Sequence, residues 1–186
     1  MVDPTAKTEF KYDHSGMRVL KSGANGTIQY VNNNYTIRDG EIASSHVFAG
    51  NTRVATKVIT KSDKKVKGIY YYHGDHLGSS NFVTNKIGNF HEHIEYFPYG
   101  ETWVEEKVAS GESLPYRFTS KELDPETGLY YFGARYYEPR VGVWGSVDPA
   151  LGRYLPTGKK DKNLPGMGGV PGERELLPEN SAGGNL

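Results

Sequence analysis

The segment HGDHLGS (His73 to Ser79) brings two imidazoles and a carboxylate together, and His91 and His93 follow nearby. Imidazole and carboxylate groups are zinc ligands. Yet His73 and His76 sit in glycine-flanked turn sequence. There Asp75 can accept hydrogen bonds from the N–H groups that follow it, and Gly78 with Ser79 completes the reversal. The turn reading is preferred, so no metal ligand and no cofactor is assigned. RFTSKE places Arg117, Lys121 and Glu122 near a strand end, where they read as solvated charge with an occasional cross-strand pair. The pattern acid-Pro-x-x-Gly occurs three times, as DPETG (Asp124 to Gly128), EPRVG (Glu138 to Gly142) and DPALG (Asp148 to Gly152). Its acid can cap turn N–H groups, its proline presets φ, and its glycine can take positive φ. Turn chemistry therefore explains these carboxylates, Asp148 included. No Ser/His/Asp set and no phosphate-cradling glycine loop accompanies them.

The elements that carry these residues read as strands. Turn signals recur at Asp13 to Gly16, Asn25-Gly26, Asp39-Gly40, Gly50-Asn51, Lys61 to Lys65, Gly74 to Gly78, Asn85 to Gly88, Pro98 to Gly100 and Gly111. Between them lie short runs rich in Val, Ile, Thr, Tyr and Phe, spaced at roughly 8–12 residues, which is the all-β signature. No 3.6-residue periodicity stands out, although WVEEKVAS (Trp103 to Ser110) allows one helical turn. The run GLYYFGARYYEP (Gly128 to Pro139) holds five aromatic residues. Read as a single strand, it places Tyr130, Phe132 and Tyr136 on one face. Leu129, Tyr131, Arg135 and Tyr137 then share the other. Three acid-Pro turns in succession predict a meander around that strand. The expected fold is all-β and antiparallel, a hairpin meander with helix rare.

Composition narrows the function classes. The chain has 186 residues, 14 of them Tyr and 23 Gly, and its formal charge sums to zero. Its mean hydropathy of −0.64 is polar for a compact globule. Charge balance gives no support to a nucleic-acid binder, which needs a basic face. The 0 cysteines exclude disulfides and thiolate-held metals. No apolar run approaches a membrane span. The N-terminal stretch has no apolar core of the kind a signal peptide needs. From residue 157 to 186, seven Gly and three Pro with no aromatic residue predict a disordered tail.

Three stretches carry a resemblance. FKYDHSGMRVLKS (Phe10 to Ser22) resembles a YD repeat, the Tyr-Asp unit of Rhs proteins. YYYHGDHLGSSNFVTNKIGNFHEHIEYFPYGE (Tyr70 to Glu101) and YRFTSKELDPETGLYYFGARYYEPRVGVWGSVDP (Tyr116 to Pro149) are similar to the Rhs repeat-associated core that follows such repeats. The likeness runs from Phe10 to Leu155, and its ordered parts set it apart from any lone short motif. It implies residues 1–66 as YD-repeat strands, 67–156 as the core and 157–186 as the tail.

In that family a long sheet spirals into a hollow shell, and the core plugs one end of it. Many members enclose a C-terminal toxin, which the core frees by autoproteolysis. That chemistry resembles an aspartyl protease, with two carboxylates sharing one proton. Each comes from an Asp-Pro motif. Here GVWGSVDP supplies only Asp148, with Val143 and Trp144 where the family usually has arginine and phenylalanine. No second Asp-Pro follows, and the later Asp161 sits in KKDKN. Asp148 is thus an unpaired catalytic candidate, and an enzyme is disfavoured.

The expected role is a structural shell or plug segment of a toxin-delivery protein, in a shortened remnant without toxin. The alternatives are an autoprotease using Asp148, or a cell-surface carbohydrate-binding module resting on exposed aromatics. Expected partners are further YD repeats or an enclosed toxin in a full-length relative. An immunity protein or secretion-system partner is left unspecified. The resemblance implies secretion or the cell surface if the parent is exported.

Overall fold

The computed structural model describes residues 7–109, 111 and 114–154. Ten strands form one antiparallel sheet in unbroken chain order. They are β1 (Glu9–Tyr12), β2 (Arg18–Gly23), β3 (Gly26–Asn32), β4 (Tyr35–Arg38), β5 (Ile42–Ala49), β6 (Thr52–Thr60), β7 (Val66–Gly74), β8 (Ser80–Asn85), β9 (Phe90–Tyr96) and β10 (Thr102–Lys107). Each strand pairs with its chain neighbours, so hairpin turns make every connection. The turns fall where Gly, Asn and Asp cluster, as expected.

Alternation sets which side chains the sheet covers. On β6, Thr56 and Val58 are buried and Lys57 between them is exposed. On β7, buried Tyr70 and Tyr72 flank exposed Tyr71. Val58, Tyr70, Tyr72 and Val83 form the hydrophobic centre together with Leu114, and Ile42 packs against it. Leu114 follows β10 in the chain. The returning segment therefore folds back across the face that Val58 and Tyr72 present.

That segment continues through a 3-10 turn at Phe118–Ser120 into a second antiparallel sheet. Its strands are β11 (Glu122–Asp124), β12 (Leu129–Tyr131), β13 (Tyr136–Glu138) and β14 (Val143–Trp144), again in chain order. DPETG joins β11 to β12 and EPRVG joins β13 to β14. Gly128 and Gly142 stand at φ 73° and 68°, as the motif predicts.

The structure revises three expectations. GLYYFGARYYEP is not one strand but two, reversed at Phe132 to Arg135. The Phe132 N–H donates to the Arg135 carbonyl, and Gly133 sits at φ 89°, open to glycine and costly for other residues. Tyr130 consequently pairs with Tyr137, and Tyr131 with Tyr136. Both pairs were expected on opposite faces. WVEEKVAS forms no helical turn among the described residues. Its first residues lie in β10, where Glu105 faces Ile94 and Glu106 faces His93 across the ladder to β9. The sheet edge supplies backbone partners that an isolated turn of helix could not match. DPALG makes no hairpin: Leu151–Arg153 is a 3-10 turn, and Gly152 is not at positive φ. That turn belongs to a second unit beginning at Ala150. The expected tail, with Asp161 and Glu173, lies outside the described residues.

Candidate functional site

The most concentrated polar chemistry joins the two sheets. β2 contributes Arg18 and Lys21, whose alkyl stems lie in covered surface. β11 contributes Glu122 and Asp124, which period-2 alternation puts on one face. Glu126 follows in the DPETG turn. Arg18 pairs through Nη2 with Glu122 at 3.0 Å and through Nη1 with Asp124. Lys21 Nζ lies 2.9 Å from Asp124, 3.5 Å from Glu122 and 3.4 Å from Glu126. The Arg18 and Asp124 side chains are 0% exposed.

Tyrosines complete the shell of the cluster. Tyr30 donates its hydroxyl to Glu122 at 2.8 Å and accepts from Arg18 Nη2 at 2.9 Å. The Arg18 backbone N–H donates to the Tyr131 hydroxyl at 2.7 Å, and the guanidinium lies over that ring, 4.1 Å from its centre. Asn25 donates to Glu126 at 3.1 Å. Burial by itself would lower Arg18 and Lys21. The Glu122 and Asp124 charges outweigh it and raise both above their usual values. Burial also raises Tyr30, reinforced by Glu122. The raised Arg18 and Lys21 keep their positive charge, and the cluster ties β2 to β11 through ion pairs.

The RFTSKE segment is a second clasp, not the solvated charge expected of it. Arg117 makes a fork on Glu105 with bonds of 2.9 and 2.6 Å, and Glu122 is buried in the cluster above. The Ser80 N–H donates to the Arg117 carbonyl, Thr119 N–H to Ser79 Oγ, and Arg53 N–H to Ser120 Oγ. The Ser120 hydroxyl donates to the Gly78 carbonyl at 2.8 Å. Thr119 and Ser120 hold φ of 49° and 58°, left-handed values that cost about 1–3 kcal/mol each for such residues. The surrounding bonds hold them there.

Tyrosine hydroxyls make the third contact. Tyr130 donates to the Gly100 carbonyl at 3.1 Å, and Tyr137 to the Tyr99 carbonyl at 2.9 Å. Phe118 lies directly against Gly100, which sits at φ 89°, so any Cβ there would overlap the ring. The aromatic run thus reads its partner through backbone carbonyls of the PYG turn.

The residues singled out from sequence sit elsewhere. Asp148 pairs with Arg135 at 3.0 Å and its side chain is 46% exposed. Asp75 caps its own turn, accepting from the Leu77 and Ser79 N–H groups. His73 bonds Thr84, His91 rests on the Tyr70 ring, and His93 lies between Glu106 and Glu95. No group of three metal-binding side chains converges among the described residues. The Arg18 cluster was not anticipated. Its one local signal is the Glu122, Asp124, Glu126 alternation, which puts two carboxylates on one side of a short strand and a third in the turn after it.

Known proteins resemble this chain in sequence and in fold. The family model described as Teneurin YD-shell matches residues 3–163. The toxin subunit YenC1 of Yersinia entomophaga is 30% identical over 166 residues, covering 76% of this chain and 16% of that protein. The tRNA nuclease WapA of Bacillus subtilis is 31% identical over 150 residues, covering 77% of this chain and 6% of that one. The crystal structure of TcdB2-TccC3-TEV superposes with a TM-score of 0.67 at 27% identity, over 81% of this chain and 8% of the other. This chain therefore spans only a small part of the length of these relatives. The family-model match over most of the chain and the likeness to YenC1 show that the chain belongs to the teneurin YD-shell family.

Proposed function

We propose that this chain is a wall segment of a YD shell with its core clasped on one face. The observation that carries the wall reading is the sheet order. Among the described residues β1 and β10 each pair on one side only, so both ends of the ten-stranded sheet present an edge to further strands. The proposed division leaves residues 1–66 as repeats and 67–156 as core. Asp148 serves as the ionic partner of Arg135 in this reading. Its exposed side chain supports that role over the protonated member of a carboxylate pair, which needs a second acid at close range.

Light scattering on the purified chain tests the wall reading. Open edges should produce association or capture of added YD repeats. A monomer that melts cooperatively and ignores added repeats would overturn it. Intact-mass measurement tests the role of Asp148. The mass should stay whole on long incubation, and a specific fragment lost in Asp148→Asn would restore the autoprotease.

A further inference from the structure

A cleft of about 800 Å³ opens between strands β2 to β6 on one side and residues 116–133 on the other. Among the described residues its floor holds a cation with no ion-pair partner. Arg53, on β6, is 5% exposed. Its guanidinium stacks on the Tyr116 ring at 3.3 Å and on Phe48 at 4.7 Å. Neither Nε nor Nη1 has a hydrogen-bond partner. Both acids that line the cleft are committed elsewhere. Asp13 accepts from the Ser15 N–H, the Ser15 hydroxyl and the Met17 N–H. Glu122 serves Arg18, Lys21 and Tyr30. Across the cleft stands a second cation, Lys121, with Nζ 5.5 Å over the Phe132 ring. Among the described residues no carboxylate forms an ion pair with either Arg53 or Lys121.

Buried charges in folded chains are paired as a rule, and aromatic stacking replaces water over only the faces of a guanidinium. An arginine remains protonated under any ordinary condition, so this one cannot escape by losing its proton. The cleft is far larger than one small anion requires, and its walls carry Phe48, Tyr116 and Phe132 beside the two cations. We propose that the cleft is a docking site for an acidic segment of another polypeptide. A carboxylate of that segment supplies the counter-charge to Arg53, a second acid meets Lys121, and apolar side chains lie on the aromatic walls. This assignment stands apart from the shell reading, because it concerns the covered face and not the sheet edges.

Fluorescence anisotropy with a labelled Glu-Leu-Glu-Leu peptide tests it. The glutamate peptide should bind, and its Gln-Leu-Gln-Leu counterpart at least tenfold more weakly. Arg53→Gln and Lys121→Glu should each weaken binding tenfold or more. Lys57→Gln, on the opposite face of β6, should leave it unchanged. Should Arg53→Gln fail to fold, Lys121→Glu alone decides. Equal affinity for the two peptides, undiminished binding by Lys121→Glu, or no binding by the wild type would each overturn the proposal. Arg53-dependent binding of inorganic phosphate without peptide binding would reassign the cleft to small anions.

Discussion

His46 should make this protein acid-labile well above the carboxylate range. The imidazole is buried on β5. Its Nδ1 lies 3.0 Å from the Thr56 hydroxyl, and its Nε2 lies 3.3 Å from the hydroxyls of both Thr36 and Tyr116. Burial, aided by the Arg53 charge, holds its pKa down from 6.5 to about 3. A depressed imidazole stays neutral in the folded chain while the unfolded chain takes up a proton. Stability is therefore full above the unfolded value and falls as pH drops below it. Linkage between those two values gives a loss of about 2 kcal/mol from about pH 8 to pH 5, and about 1.4 kcal/mol per further unit until the folded group titrates. Glu126 adds little in that window. Burial raises it, but its hydrogen bonds and Lys21 leave it below the usual carboxylate value. Half-buried His93 works in the opposite sense, because hydrogen bonds to Glu106 and Glu95 raise it. Urea unfolding at a series of pH values measures the slope. His46→Gln should lower stability at neutral pH and flatten the slope. A wild-type protein equally stable at both ends, or a variant with an unchanged slope, would refute the argument.

Further substitutions probe the clasps. Asp124→Asn leaves Arg18 and Lys21 facing a weakened partner and should cost about 3–5 kcal/mol in urea unfolding. Replacing Arg18 and Asp124 together by Met and Leu should recover part of that loss. Gly100→Ala meets both a left-handed backbone and the Phe118 ring, so its melting temperature should fall by more than that of Gly152→Ala, which meets neither. Tyr130→Phe removes the hydroxyl from the Gly100 carbonyl, at a cost of about 1–3 kcal/mol for the acceptor left buried, read in the same unfolding assay.

Local pattern carried the strand content and most turns. Gly128 and Gly142 were legible because acid-Pro-x-x-Gly specifies a turn within five residues. The reversal at Gly133 was hidden by aromatics on both sides, whose alternation fits one strand as well as two. Glu122 and Arg117 looked solvated because charge within a short window says nothing of what covers it. Their partners lie far away in the chain: Arg18 and Asp124 are 106 residues apart. Asp75 was readable as a turn cap because all its partners lie within four residues. The partnerless Nε and Nη1 of Arg53 have no sequence signature, since they depend on where Tyr116 returns.

The link from Arg18 to Asp124 has a mechanical meaning. A meander touches only its neighbours, so tension on its first strand would peel it open one hairpin at a time, each step resisted by a single ladder. Here β2 is fastened to β11, and the returning segment is fastened again at β6, β8 and β10. Force entering at β1 reaches that fastening after one hairpin. It then loads several buried contacts side by side instead of in sequence. The chain is a zipper with its slider stitched to the cloth: the first teeth can part, and the rest hold or fail together.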